Sequence, residues 1–554
     1  MSKYANILYG DTPQVLPQFG KNQVKNNAGG YVYKADKFQI LDRFLIIGTE
    51  NNSFYMKSSN LTIENAKNLI DCINTDGIKT VDKIVEISDS GRAIKNNTAI
   101  FALAMCVGYG NPIVKQYALN NLSKVARTGT HLFQFVEDIN KIRDHFKHSN
   151  NGHTCGWGRS LRNAVSNWYT DKPTKKLGYQ LIKYKQRDGW THQDVMRLAH
   201  PVPKNDEQTF MFNRLVKGFS IDDINNVDNY PDMAQFIAGS NVTTLLQDAA
   251  SDVDKMVELI KKYDLPREVI PTNLLSSPKI WEALLDAGMP LTAMIRNLGN
   301  MAKVGILTPF SRCEKIVIDT FNNEQQIRAA RIHPINVLCA KLIYTAGRGY
   351  KGNGTWEKNP RISAALEDMF YAAFDNIEPT GLRYLNALDI SGSMTSGIHT
   401  HPYISSMVAM AAMSMSIVRS EENVLTGVFT TKFKLDSLNK RTSLDELVNR
   451  FNKYSYDMGG TDAGAAIKYL TDNKIPVDVI FIGSDGETWA GNAHVDQMLN
   501  RYRDMMGVPT KLIFANTESN FWSLTDPIDP LTCNIVGFDA ALPQLVREFS
   551  LGNI

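Results

Sequence analysis

Apolar positions recur at helical spacing through most of the first two thirds of the chain. Ile63, Ala66, Leu69, Ile70 and Ile73 share one face of a helix that Thr62 is placed to cap. Ile113, Val114, Tyr117, Ala118, Leu122 and Val125 repeat the pattern after Asn111-Pro112, a cap residue followed by a first-turn proline. Ala99 to Val107 is apolar all round, which predicts a helix buried on every side. Further helices are predicted over Ala164–Tyr169, Leu177–Tyr184, Thr191–Leu198, Val253–Tyr263, Ile280–Leu285, Leu291–Met301 and Ala364–Phe374, with Thr191 and Asp194 at capping-box spacing. Strand-like alternation is scarce in this region. Roughly 300 residues of helices on short connections predict a stacked, HEAT-like solenoid of helical pairs rather than a bundle, although no clean repeat period is visible.

The period changes at Glu378-Pro-Thr-Gly381. Beyond it, strands are predicted at Tyr384–Leu388, Val424–Phe429, Val477–Ile482, Lys511–Ala515 and Asn534–Phe538, and helices at Pro402–Val418, Ser443–Phe451, Ala463–Leu470, Val495–Met506 and Leu542–Phe549. Such alternation predicts a doubly wound α/β domain. The chain therefore divides into an irregular arm at 1–35, a helical region at 36–378 and an α/β domain at 379–554. The glycine-rich stretch Gly347–Trp356 reads as a mobile surface connection.

Three loops of the α/β domain carry oxygen ligands. Asp389, Ser391 and Ser393 stand at D-x-S-x-S spacing after a buried strand, Thr461 sits in Gly459-Gly-Thr-Asp-Ala-Gly464, and Asp485 leaves the apolar strand Val477–Ile482. In a doubly wound sheet the carboxyl ends of the strands share one edge, so the three loops are placed to meet. Carboxylates and hydroxyls without thiol or imidazole suit Mg²⁺, Mn²⁺ or Ca²⁺ and not zinc. The competing reading is a set of ordinary polar turns. The order of these motifs resembles the metal-ion-dependent adhesion site of von Willebrand factor type A domains, which assigns ligand roles to Asp389, Ser391, Ser393, Thr461 and Asp485.

Composition narrows the class only slightly. The 554 residues, 43% hydrophobic and 21% charged with a net charge of +3, describe an ordinary globular chain of more than one domain. Six scattered cysteines without a C-x-x-C pair, no signal-like N-terminus and no apolar run long enough for a membrane span lead to the expectation of a reducing, cytoplasmic setting. His153-x-Cys155 has no partner pair for zinc, and His399-x-His401 reads as neutral surface histidines.

Local charge is more informative than the total. Between residues 153 and 204, Arg159, Arg162, Lys172, Lys175, Lys176, Lys183, Lys185, Arg187, Arg197 and Lys204 face only Asp171, Asp188 and Asp194. Trp157, Trp168, Tyr169, Tyr179, Tyr184 and Trp190 are interleaved with them, as are His153, His192 and His200. Cations for phosphates among planar groups for stacking suit structured or single-stranded RNA, against the plainer alternative of a solvated helix face over core aromatics.

Gly156–Tyr169 and Lys183–His200 resemble the TROVE module of the Ro autoantigen family of RNA-binding proteins. Gly91–Met105, Met289–Gly299, Ala330–Pro334 and Glu378–Gly381 are similar to it in the same order. The resemblance implies a ring of helical repeats closed by the von Willebrand-like domain. It further implies a basic hole that takes single-stranded 3′ ends of misfolded noncoding RNAs and an outer surface that binds Y RNAs. It nominates Arg159, Arg162, Lys183, Lys185, Arg187, His192 and Arg197 as RNA contacts. The chain is thus expected to be a non-catalytic RNA-binding scaffold with a divalent ion and no membrane partner. The alternative is a protein-interaction module whose metal captures a partner carboxylate. No base–nucleophile pair or nucleotide loop favours an enzyme.

Overall fold

The computed structural model describes residues 10–48, 63, 66–149, 157–246, 252–350, 354–374, 378–454 and 459–554. The proposed cap Thr62 and the pair His153 and Cys155 lie outside these.

The apolar run Leu41–Gly48 belongs to the helix Lys37–Ile47, started by a reciprocal cap between Asp36 and Gln39 and ended by Gly48 at φ 97°. Lys67–Ser90 packs on it, followed by Asn97–Tyr109, whose residues from Thr98 to Val107 are all buried. Its apolar circumference is matched by neighbours on every side, including Gly129–Ser149. Asn111 caps Pro112–Asn120 through the Ile113 and Val114 amides. Arg159–Thr170, Thr174–Lys183 and His192–Ala199 follow, the last with the expected Thr191–Asp194 box. Val253–Tyr263, Pro278–Asp286, Leu291–Lys303, Pro334–Thr345 and Pro360–Ala372 continue the stack, each helix packed on near neighbours in sequence. The stack closes on itself. Arg331 pairs with Asp89 at 2.9 Å and Asn336 donates to the Ile94 carbonyl, contacts that join helices at opposite ends of the helical region.

The α/β domain is built on a six-stranded sheet in the order Thr532–Val536, Lys511–Asn516, Val479–Ser484, Arg383–Asp389, Asn423–Phe429, Phe433–Leu435. All neighbours are parallel except the last pair. Its central strands are buried on both faces, as helices on each side require. Ile480 and Ile482 face the core of Ala465–Asp472 and Val495–Met506, whereas Val479 and Phe481 join the core that runs through Ser406–Ser420 into the helical region. One apolar interior therefore spans both domains. Polar clasps reinforce it: Arg92 grips Asp539 with two nitrogens, buried Lys341 sits between Glu367 and Asp445, and the His333 ring meets the Phe538 carbonyl at 2.8 Å.

Three expectations need correction. The segment 10–35 is not irregular throughout, because Gln23–Lys25 and Tyr31–Lys34 pair as a hairpin and Trp522–Ser523 adds a third strand to it. The predicted helix from Pro402 starts only at Ser406, since His401–Ser405 folds back on Gly397–Ile398 as a strand. Proline is tolerated on an edge strand and the β-branched Ile404 and aromatic Tyr403 favour one, so the segment can extend here. The described end of the stretch closing at Trp356 is anchored rather than loose: the indole rests on Gly299 and donates to the Tyr344 carbonyl at 3.1 Å, while residues 351–353 lie outside the described residues.

Candidate metal centre and nucleic-acid interface

The three ligand loops emerge at one edge of the sheet. Asp389 ends its strand and is 1% exposed; its Oδ1 accepts from the Ser391 amide at 2.8 Å and its Oδ2 from the Ser484 hydroxyl at 2.7 Å. The Ser391 and Ser393 hydroxyls lie 3.2 Å apart. Asp485 accepts from the Glu487 amide through Oδ1, while its buried Oδ2, on the carboxyl that Ser393 acts upon, meets no donor within full hydrogen-bond geometry among the described residues. The Thr461 carbonyl accepts from the Trp489 and Ala490 amides and from the Thr488 hydroxyl, which laces the glycine-rich loop to the Asp485 loop. Register and lacing thus bring the three loops together, and all five proposed ligand residues are buried.

The electrostatics of this pocket are one-sided. Burial pushes the Asp389 and Asp485 carboxyls upward, and the charge of Asp485 pushes Asp389 further. Glu518, from the polar run after the strand Lys511–Asn516, is held well above the usual range by burial and by Asp485, and its Oε2 also has no hydrogen-bond partner among the described residues. Glu487 is raised to about 7 for the same reasons. Burial, and for three of the four the charge of a neighbouring carboxylate, push these carboxyls upward. An orphaned carboxylate oxygen beside paired hydroxyls fits a hard divalent cation, which would supply the missing positive charge. Glu518 and Glu487 escaped the sequence motif, although Asn516-Thr-Glu-Ser-Asn520 at a strand exit of the same sheet was a visible signal.

The basic segment is divided by burial. Arg159 and Arg162 are exposed on Arg159–Thr170, Lys185 and Arg187 lie on or next to a two-stranded ribbon, and Arg197 is exposed on His192–Ala199. Lys183 is half-buried, its ammonium 2.9 Å from the Tyr179 hydroxyl. His192 does not fit its assignment as an RNA contact. It is 2% exposed, meets the Tyr169 hydroxyl at 2.9 Å through Nδ1 and packs against Phe133 and Trp168. Burial lowers its pKa to about 3, so the ring is neutral. Trp168 and Tyr169 are core residues too, whereas Trp157, Tyr179, Tyr184 and Trp190 are half-buried. Lys172 lies 3.4 Å from the centre of the Trp168 ring and is lowered to about 7 by burial.

A second aromatic group, missed in the sequence, forms where the domains meet. Tyr350 and Tyr403 have ring centres 4.3 Å apart, His401 flanks Tyr403 at 5.8 Å, and Lys95 donates to the Thr400 carbonyl. Lys95 and Arg296 are near enough to repel each other, and Arg296 in turn acts on Tyr184. His399 is exposed and His401 half-buried, and nearby Lys95 adds to burial in keeping both neutral. Their positions 50 to 300 residues apart gave no local signal.

Fold and loops together define a closed helical-repeat protein completed by a von Willebrand factor A-type domain. Comparison with known proteins agrees in both parts: residues 24–265 and 229–343 match the TROVE domain, and residues 383–550 match the Ro60 vWA domain. The chain is 35% identical to RNA-binding protein RO60 of Caenorhabditis elegans, over 98% of this chain and 92% of that one. It is 32% identical to RNA-binding protein RO60 of Deinococcus radiodurans, over 99% and 100%. The crystal structure of the Deinococcus radiodurans RO (RSR) protein superposes with a TM-score of 0.67 at 30% identity, covering 94% of this chain and 100% of that one. The chain belongs to the Ro60 family. Among the described residues, no helix is long and apolar enough to cross a membrane.

Proposed function

We propose that this protein is a non-catalytic RNA-binding ring that takes small noncoding RNAs of the Y RNA type and single-stranded ends of misfolded RNAs. The observation that carries the reading is the set of exposed cations Arg159, Arg162, Lys185, Arg187 and Arg197 within a stretch of 39 residues, on or next to the helix Arg159–Thr170, the ribbon strand Gln186–Arg187 and the helix His192–Ala199. Half-buried Tyr179, Tyr184 and Trp190 among them offer planar faces, and the Tyr350–Tyr403 pair offers more. Kinship to proteins named RNA-binding supports the same conclusion.

The metal reading stands beside it. Asp389, Ser391, Ser393, Thr461 and Asp485 would hold a Mg²⁺, Mn²⁺ or Ca²⁺ ion, and such an ion supplies a Lewis-acidic position that a carboxylate of a protein partner can occupy. The residues themselves contribute two negative charges, short hydroxyl ligands and exclusion of water. The hydroxyl beside Asp389, that of Ser484, is fully buried with it, so the pocket is read as a binding site and not as a catalytic one.

A salt series tests the RNA reading. Replacing Lys183, Lys185 and Arg187 together with Ala leaves up to three phosphates without a cation, and the slope of log K against log salt falls by up to ~0.7 for each of them. Asp389→Ala leaves RNA affinity unchanged while abolishing bound metal, measured by elemental analysis. Wild-type affinity in the folded triple variant overturns the assignment.

A further inference from the structure

The segment ahead of the helical region has no part in either reading so far, yet it makes dense polar contacts with the third metal loop. Asn26, 4% exposed, donates through Nδ2 to the Thr488 carbonyl at 2.8 Å and to the Gly486 carbonyl at 3.2 Å. The same side chain accepts from the Gly30 amide at 2.8 Å, and the Asn26 amide donates to the Gly30 carbonyl, so one residue both forms the hairpin turn and holds the loop. Glu487 is gripped from the same side: Oε2 accepts from the Ala28 amide and Oε1 from Asn27 Nδ2, each at 3.1 Å. Gly30 lies so close that a Cβ would stand 2.0 Å from the Thr488 carbonyl oxygen. The two backbones are in direct apposition.

A second hold on the loop comes from the helical region. Arg43, 1% exposed, donates to the Asn520 carbonyl, the Asn520 side chain, the Trp522 carbonyl and the Asn534 side chain, all neutral acceptors. Asn520 Nδ2 then donates to the carbonyl of Asp485 itself at 2.5 Å. Loop backbone at a strand exit is free to shift unless its carbonyls are engaged, and here the carbonyls of residues 485, 486 and 488 all are. Outer groups that orient a ligand loop commonly change metal affinity 10- to 100-fold when removed.

We infer that the hairpin turn Asn26–Gly30 is a positioning clamp for the metal site: it fixes the Asp485–Trp489 loop and thereby sets the site's cation affinity. Asn26, Asn27 and Glu487 are positioning residues and not ligands. The inference rests on the metal reading above, and the two fail differently. Mn²⁺ titration of the full chain by calorimetry compares wild type, Asn26→Ala, Asn27→Ala, Glu487→Gln and Asp389→Ala, with RNA affinity and melting temperature measured in parallel. Expected are a 10- to 100-fold weaker Mn²⁺ affinity for Asn26→Ala, a smaller loss for Asn27→Ala and Glu487→Gln, and unchanged RNA affinity in all three. If wild type binds Mn²⁺, Asp389→Ala does not, and the clamp variants bind like wild type, the clamp is wrong and the metal site stands. If wild type itself binds no Mn²⁺, both fall. Should Asn26→Ala not fold, Asn27→Ala at its half-buried position decides the matter: wild-type Mn²⁺ affinity there overturns the clamp.

Discussion

His192 illustrates how a residue type that suits RNA is taken by the core. Its ring sits among Phe133, Trp168 and Tyr169, directly after the ribbon strand Trp190–Thr191 that pairs with Gln186–Arg187. Its folded pKa of about 3 lies below the ordinary 6.5, so the unfolded chain binds the extra proton first. Stability from the neutral ring is complete above pH 6.5 and is lost as pH falls towards 3. His192→Gln, which cannot titrate, should lose about 2 kcal/mol less than wild type between pH 7 and 5 in urea unfolding. The same variant should weaken RNA binding without altering its salt slope, because no cation leaves the surface. A changed slope would place the imidazole on phosphate after all.

At the level of elements, Asn97–Tyr109 was legible because its apolar positions leave no polar stripe, and only a fully enclosed helix satisfies that. Gly108 in it has a packing reason: a Cβ there would lie 2.6 Å from Ile142 Cγ2, a methyl on the branched carbon of a fully buried side chain. Gly108→Ala gains up to about 1 kcal/mol of helix propensity but costs about 1–3 kcal/mol of overpacking, so net destabilisation is expected in denaturant titration. A more stable variant would mean that the two helices separate easily. The hairpin preceding Ser406 was illegible for the opposite reason. His401–Ser405 holds polar, aromatic and β-branched residues whose choice between turn and strand depends on Gly397 meeting the Pro402 backbone, an approach no local pattern announces.

Across the whole molecule, the two ends of the stack meet through Arg331–Asp89 and Asn336–Ile94, and Arg92 and His333 tie them to the α/β domain, so the parts are expected to unfold together. Arg92 is the test, because it joins Asp539, 1% exposed, to the start of the stack. Arg92→Ala strands a buried carboxylate and should cost about 3 kcal/mol. Calorimetry should then show the single transition of the wild type broadened or split. An unchanged profile would show that the shared apolar interior alone couples the domains.

The amino-acid sequence by itself determined the two domain types, the three oxygen-rich loops at the strand ends and the basic segment, because periodicity and motif spacing are local properties of the chain. Tertiary structure decided what depends on distant partners: which of the basic segment's aromatics and histidines are core, that Glu518 and Glu487 share the charged pocket, that Tyr350 meets Tyr403, and that residues 23–34 pair into a hairpin against the metal loop. Burial and pairing of this kind are set by surfaces hundreds of residues apart, and hydrophobic burial has no memory of chain order.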